Sequence, residues 1–339
     1  MSLSYTKITE ILAKEPKFRT RQALNAIFSQ SLDSWNDITV LPKNLRAQLE
    51  QDAPLFIDGR ITDSSSRKSQ KATFHFDKHV VESVLMKHEV RNTVCVSSQV
   101  GCPLACKFCY TGTLDFTRNL TSDEIINQVL FFNRSLRVKD ERVTNVVFMG
   151  MGEPFLNYDA VLGAVQLLNN PDLFNIGARK ISISTVGIIP GIERLTNEPL
   201  QVNLSVSLHA PDNDLRSKLM PVNKKYPLPL LLQSIRNYIT VTNRKVMIEY
   251  TLLKDINSSP EQAKTLAGIL KKELKHLFMI NLIQYNQTGA FYPVDQKATE
   301  EFKKILEDEG LTVIERYRFG RDIKAACGQL AGKQAGKEK

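Results

Sequence analysis

From residue 93 onward, short apolar runs alternate with stretches whose apolar positions recur every three or four residues. TVCVS at 93–97, NVVFM at 145–149, KISIST at 180–185, QVNLSVSL at 201–208, KVMIEYTLL at 245–253 and FMINLIQY at 278–285 read as six buried strands. Helical stretches lie between them. The clearest starts at Thr121, where TSDE is a capping box of Thr121 with Glu124, followed by Ile125, Ile126, Val129 and Leu130 on one face. A helix at 296–309 and a strand, TVIERY at 312–317, complete the series. Such alternation predicts an α/β fold, a parallel sheet with crossover helices. Six β/α units are too few to close a TIM barrel, so the expected architecture is an open, partial (β/α)6 barrel with its active residues at the C-terminal ends of the strands.

Upstream the pattern differs. Within 21–32, Ala23, Leu24, Ile27, Phe28 and Leu32 recur at helix spacing, and Leu41-Pro42 punctuates the next segment. Residues 1–52 are therefore expected to form a small helical accessory domain. Residues 53–90 read as extended pieces, a β-hairpin-like extension with the polar SSSRKSQK run at its tip. The barrel is expected over 91–320, and a C-terminal loop with a Lys-rich tail over 321–339.

No apolar run has membrane-spanning length, and the first residues lack the hydrophobic segment of a signal peptide, so a cytoplasmic protein without membrane association is expected. The five cysteines, Cys95, Cys102, Cys106, Cys109 and Cys327, are then expected to be reduced at rest. The net charge of +9 points to a polyanionic partner or to solubility alone. Arg60, Arg67, Lys68, Lys71 and Lys78 form one basic group, and Arg316, Arg318, Arg321 and Lys324 a second. Tyr317 and Phe319 interleave with the second, a composition able to grip phosphates and stack on unpaired bases.

Cys102, Cys106 and Cys109 stand in CPLACKFC as Cys-x3-Cys-x2-Cys. A closed structural zinc site uses four ligands, whereas three thiolates on an iron–sulfur cluster leave one iron open to a substrate or cofactor. The triplet alone leaves three readings: an iron–sulfur cluster, a zinc site completed by His88 or His209, or buried thiols. Polar residues gather at the predicted strand ends: Gly152 and Glu153 of GMGEP after the second strand, Ser184 after the third, Ser207, Leu208 and His209 after the fourth, and Asn286 after the sixth. Glu153 serves either as a turn cap or as a carboxylate for a cationic group, and His209 as a core histidine or a cofactor contact. Cys95 lies on the first strand. Cys327 lies in GRDIKAACGQLAG between Gly320 and Gly328, which is expected to be a flexible loop able to carry the thiol into the barrel mouth.

The cysteine spacing is the signature of the radical SAM superfamily. VCVSSQVGCPLACKFC, FMGMGEPFLN, STVGIIPGIERL, VNLSVSLHAP, RSKLMPVN and DIKAACGQLAG together resemble the RlmN/Cfr family of radical SAM RNA methyltransferases, from the N-terminal helices to Gly332. The resemblance implies methylation of an adenine ring carbon in 23S ribosomal RNA and, for some members, transfer RNA. It implies a [4Fe-4S] cluster on Cys102, Cys106 and Cys109 whose open iron chelates S-adenosylmethionine, and cofactor contacts at Gly152, Glu153, Ser184, Ser207, Leu208, His209 and Asn286. It further implies that Cys327 takes a methyl group from one S-adenosylmethionine and that a deoxyadenosyl radical from a second removes hydrogen from that S-methyl group. The methylene radical adds to the adenine, Glu82 handles protons on the adduct, and Cys95 attacks Cys327 sulfur, leaving a transient disulfide to be reduced. Without the resemblance, Glu82 in HVVESVLM reads as a solvent-facing strand residue.

Two features depart from or divide the family pattern. Tyr110 stands where the family usually has a small residue, and GMGEPFLN resembles the RlmN side while RQALNAIFSQ and RSKLMPVN are also close to Cfr-like chains. Carbon 2 is the expected target, with carbon 8 open. The implied partners are RNA and an electron-donating protein, and the expected state is a monomer. The competing readings are a radical SAM enzyme acting on a protein or small molecule, and a zinc-containing RNA-binding protein.

Overall fold

The protein is described from a computed structural model, which covers residues 3–289, 291–317 and 319–331. Arg318 and the Lys-rich tail GKQAGKEK, residues 332–339, lie outside the described residues.

Three helices precede the sheet: α1 Tyr5–Leu12, α2 Lys17–Leu24 and α3 Lys43–Asp52. The helical spacing read over 21–32 does not continue to its end. After α2 the chain widens into a π turn at Asn25–Ser29, and Ser31 takes a left-handed φ of 58°, which sends Leu32 off the helix. Ser31 and Leu32 carbonyls then accept from Arg137 and Arg134 of a barrel helix instead of from the next turn.

β1 Gly59–Asp63, β2 Ser69–Phe76 and β3 His79–His88 form an antiparallel meander; of the SSSRKSQK run read as a tip, residues 64–68 bridge the first two strands, and the last three residues already belong to β2. β3 pairs antiparallel with β4 Arg91–Cys95, the first strand of the barrel. A short ribbon, β5 Gln99–Val100 with β6 Arg118–Asn119, follows β4 and leads into α4 Ser122–Arg137. The capping box at Thr121 is formed, with Glu124 N–H donating to Thr121 Oγ1 at 3.2 Å and Thr121 N–H to Glu124 Oε2 at 2.9 Å.

The alternation continues through β7 Asn145–Phe148, α5 Tyr158–Asn169, β8 Ile181–Thr185, α6 Ile189–Thr196, β9 Asn203–Ser207, α7 Asn213–Leu219, α8 Leu228–Thr242, β10 Val246–Leu252, α9 Pro260–Leu274, β11 Phe278–Gln284, α10 Gln296–Asp308 and β12 Val313–Glu315. Among the described residues one sheet runs β1-β2-β3-β4-β7-β8-β9-β10-β11-β12, parallel from β4 onward. Its two ends do not pair, so the fold is an open, partial (β/α)6 barrel extended at one edge by the β1–β3 meander. The strand read at 312–317 ends at Glu315, which frees Arg316 and Tyr317 to turn independently. No helix among the described residues is long and apolar enough to cross a membrane.

Candidate active site

The loop that carries Cys102, Cys106 and Cys109 is tied at its base by the β5/β6 ribbon. Gly101 opens it with a φ of +76°, and a Cβ there would lie 2.0 Å from the Asp115 carbonyl oxygen, so only glycine fits. Cys109 N–H donates to the Cys106 carbonyl at 3.2 Å, and Gly112 N–H to the Cys109 carbonyl at 3.1 Å, which curls the loop around its own thiols. All three cysteines line one cavity at the C-terminal mouth of the barrel. Burial, the largest cause, together with the charges of its two neighbours pushes the Cys106 thiol well above its usual range; Cys102 is raised to about 12, and Cys109 is also raised. One buried and two half-buried thiols in mutual electrostatic contact become thiolates together most readily on a cationic centre.

Among the described residues, no three His, Cys, Asp or Glu groups are drawn around one point as a mononuclear ion requires. A cubane asks for less, because each thiolate binds a different iron. His88 does not line the cavity; its ring packs against Tyr317 and Phe319.

Opposite the loop, Gly152 and Glu153 follow β7. Gly152 takes φ +97°, and a Cβ there would meet Gln99 at 2.5 Å. The buried Glu153 carboxylate accepts Phe155 N–H at 3.0 Å and Val186 N–H at 2.9 Å. It therefore caps the turn after β7, the first of the two roles read for it, and it also lines the cavity. Burial pushes its carboxyl up to about 7 against the lowering effect of those two N–H bonds.

His209 is likewise both buried and at the cavity wall. Its Nδ1 accepts Thr251 N–H at 3.0 Å, and burial first, then Arg216, lowers its pKa to about 3. The ring is thus neutral with its proton on Nε2, a fixed donor. Ser184 and Ser207 line the cavity and donate to Glu249 Oε2 at 2.6 and 3.3 Å. Asn286 donates from Nδ2 to the Cys327 carbonyl at 3.2 Å, while its buried Oδ1 has no partner among the described residues. An unpaired acceptor in a cavity of convergent polar groups and sulfurs fits a polar cofactor. Leu208 differs from the other expected contacts, because its side chain is buried in the core away from the lining. Only its backbone reaches the neighbourhood, with N–H donating to the Glu249 carbonyl at 2.9 Å.

Cys95 and Cys327 face this same cavity. Cys327 is exposed, but its exposed surface opens onto the cavity within the protein's walls. Burial raises its thiol, Arg316 draws it down, and Glu249 and Cys109 raise it. Burial and the neighbouring Cys327 raise Cys95 to about 12.

The segment around Cys327 is pinned, in contrast to the free loop expected from its glycines. Tyr110 N–H donates to the Gly328 carbonyl at 2.8 Å, Thr111 Oγ1 to the Leu330 carbonyl at 2.8 Å, and Asp322 Oδ2 accepts both N–H and Oγ of Ser65 at 2.7 Å. Tyr110 thus contacts this segment through its backbone and does not line the cavity.

Three functional candidates escaped the reading of the sequence. Glu249 is a lone carboxylate in the apolar run KVMIEYTLL, a signal that a buried charge needs partners. Arg316, grouped above with surface cations, turns inward and donates from Nη1 to Glu249 Oε1 at 3.2 Å. Lys71, grouped likewise, pairs with Glu82 at 3.0 Å. Glu82 itself is only 3% exposed, which corrects the solvent-facing reading; its partners hold it on the face of β3 that carries Val84 and Met86 to the cavity.

Comparison with known proteins agrees with this geometry. Residues 96–267 match the model of the radical SAM superfamily. A probable dual-specificity RNA methyltransferase RlmN from Dictyoglomus thermophilum is 41% identical, with 97% of this chain and 95% of that protein covered. The ribosomal RNA large subunit methyltransferase Cfr from Bacillus velezensis is also 41% identical, over 97% of this chain and 96% of its own. The crystal structure of a radical SAM methyltransferase from Sphaerobacter thermophilus superposes with a TM-score of 0.92 at 40% identity, covering 98% of each chain. Family enzymes use a [4Fe-4S] cluster and S-adenosylmethionine, for which the thiol loop and the polar rim offer fitting donors. On the strength of full-length relatives on both sides of the family, the chain belongs to the RlmN/Cfr family of radical SAM RNA methyltransferases.

Proposed function

We propose that this enzyme methylates a ring carbon of an adenine in RNA: carbon 2 in 23S ribosomal RNA, with transfer RNA as a second substrate and carbon 8 as the alternative position. One observation carries the reading. Cys95 and Cys327 face the same cavity as the cysteine triplet, and an enzyme that only abstracts hydrogen from a protein or small molecule has no use for that second pair of thiols. An adenine carbon between two nitrogens is electrophilic and resists ordinary methyl transfer. The cluster and S-adenosylmethionine, when bound, supply the one-carbon unit and the radical chemistry that overcome this.

The chain's own residues prepare the site. Cys102, Cys106 and Cys109 would hold the [4Fe-4S] cluster, three thiolates that would leave it room to bind the cofactor. Glu153 offers a carboxylate to its ammonium, His209 a fixed N–H and Asn286 an acceptor. Glu249 orients Ser184 and Ser207 and also anchors Arg316, whose charge favours the Cys327 thiolate needed to accept a methyl group. Glu82 receives or returns the substrate proton. Cys95 thiolate attacks the Cys327 sulfur, the bond from that sulfur to the product carbon breaks, and the resulting disulfide requires two electrons from a reductant protein. Tyr317 and Phe319 line the mouth with ring centroids 4.7 Å apart, and Tyr317 is 57% exposed, a surface suited to stacking an unpaired base. The enzyme works as a monomer in the cytoplasm.

Nucleoside mass spectrometry of a 23S ribosomal RNA transcript and of transfer RNA, incubated with anaerobically reconstituted enzyme, S-adenosylmethionine and reductant, tests this reading. 2-Methyladenosine is expected, and 8-methyladenosine would reassign the carbon. Neither product, from enzyme that still cleaves S-adenosylmethionine, would sink the RNA reading. Cys102→Ala should lose iron and sulfide, Cys327→Ala should keep them without methylating RNA, and Cys95→Ala should accumulate a covalent protein–RNA adduct visible on a denaturing gel.

A further inference from the structure

Glu82 is a carboxylate enclosed by three elements. From β2, Lys71 Nζ approaches Oε1 at 3.0 Å, with the two side chains 16% and 3% exposed. From the C-terminal segment, Ala331 N–H donates to Oε2 at 2.7 Å. From the turn after β7, Met151 brings its sulfur to 3.5 Å from the Glu82 backbone nitrogen. The strand register creates the pairing: Thr73 lies opposite Glu82 and Lys71 opposite Val84, so Lys71 sits diagonally across the same face. Among the described residues, the same face also carries His75, His88, Arg91, which stands opposite His88, and Cys95. His75 on β2 lies 3.5 Å from Asp58, His88 on β3 packs on Tyr317 and Phe319, and Cys95 on β4 stands opposite Val84 and faces Cys327.

We propose that Lys71 is a positioning residue for the methylation reaction: it fixes one oxygen of Glu82 and turns the second toward the segment carrying Cys327. The inference rests on the reading of Glu82 as the group that exchanges a proton with the substrate. A carboxylate enclosed this far is held in one orientation by a paired cation, which also offsets the cost of burying it. Lys71 supplies that cation without entering the cavity, and the Ala331 N–H registers the same carboxylate against the chain just past Cys327. Charge on Lys71 therefore serves the reaction centre and is not part of an RNA-facing patch.

The test compares wild type, Lys71→Gln and Lys71→Arg in the full chain, reconstituted with its cluster. Two rates are followed with a 23S ribosomal RNA transcript as probe: methyladenosine formation and cleavage of S-adenosylmethionine. Lys71→Gln removes the contact that fixes the Glu82 oxygens, so its kcat for methyladenosine formation should fall about tenfold while cleavage of S-adenosylmethionine and the KM for RNA hold. Lys71→Arg should restore most of the lost rate. An unchanged kcat with a KM that climbs as salt is added would make Lys71 a phosphate contact and overturn the proposal. A variant with both constants unmoved would overturn it too.

Thermal midpoints give a second readout that needs no activity. Lys71→Gln should cost markedly less in a Glu82→Gln background than in wild type, and additive costs would dissolve the coupling. Wild-type enzyme that forms no methyladenosine would instead remove the functional reading, while the thermal comparison still decides whether Lys71 and Glu82 act as a pair.

Discussion

At the scale of single residues, Glu153 sits at the boundary between its two charge states. Burial holds its carboxyl at about 7, and the role proposed for it, receiving the ammonium of S-adenosylmethionine, needs it ionised. Below that value the carboxyl carries a proton that cofactor binding must expel, so affinity falls as pH falls through about 7 and levels off above it. We expect cofactor affinity, read by equilibrium dialysis on cluster-loaded enzyme, to be about tenfold weaker at pH 6 than at pH 8. Glu153→Gln should bind weakly with a flat profile, and a flat wild-type profile would assign the ammonium to another partner. At the mouth, Tyr317→Ala should raise the KM for RNA about tenfold with the cysteine chemistry intact, the worth of one base stacked on an aromatic ring; an unchanged KM would exclude Tyr317 as a platform. That the cysteine triplet and the strand-end residues other than Leu208 meet at one cavity could be expected from the chain, because spacing and position along a strand are local properties. Arg316 and Lys71 could not. Each lies in a basic run whose members look alike, and their partners Glu249 and Glu82 are met only across the sheet.

At the scale of elements, Arg216 does for the barrel rim what no strand pairing does. It is fully buried in α7, and its guanidinium donates from Nη1 to Asn223 Oδ1 at 2.6 Å, from Nη2 to the Val186 carbonyl at 2.6 Å and the Ser207 carbonyl at 3.2 Å, and from Nε to the Leu208 carbonyl at 3.3 Å. One side chain thus joins the ends of β8 and β9, the stretch from which Ser184, Ser207 and His209 reach the cavity. Burial lowers its pKa to about 10, which leaves it charged at neutral pH. Arg216→Met keeps much of the volume but strips several buried acceptors of their donor, at a cost of about 3 kcal/mol in denaturant unfolding. Cofactor affinity should fall with it, and a variant as stable as wild type would show that water replaces the guanidinium. The parallel strands and α4 were readable because buried strands and capped helices each carry their own signature. The end of the second helical stretch was not. Helical spacing persists through Leu32, while Arg134 and Arg137, some hundred residues later, take the carbonyls that would have continued the helix.

At the scale of the whole molecule, the N-terminal helices behave as part of the barrel's wall. Leu3, Ile8, Leu12, Phe28 and Trp35 belong to the same buried cluster as the barrel strands. Polar contacts cross the same boundary: Asn127 Nδ2 on α4 donates to the Leu3 carbonyl at 2.8 Å, Ser29 Oγ to the Leu173 carbonyl at 2.7 Å, and Arg134 Nη2 to the Leu32 carbonyl at 3.1 Å. Phe28 lies on Phe174, with ring centroids 5.2 Å apart. An open barrel has no second layer of its own at this place, so the apolar surface of α4 and of the chain after α5 depends on the helices that precede it. Removing residues 1–52 takes away about 1 kcal/mol for each lost hydrogen bond before any apolar exposure is added, and several such losses lower the melting temperature of a chain this size by about 6 °C or more. The full chain should therefore melt in one cooperative transition, and the truncated chain should melt earlier or aggregate with its apolar face uncovered. Differential scanning calorimetry distinguishes this from a detachable module. Two separate transitions in the full chain, or a truncated barrel melting at the full chain's temperature, would show that the helices fold apart from the barrel and serve some purpose other than supporting it.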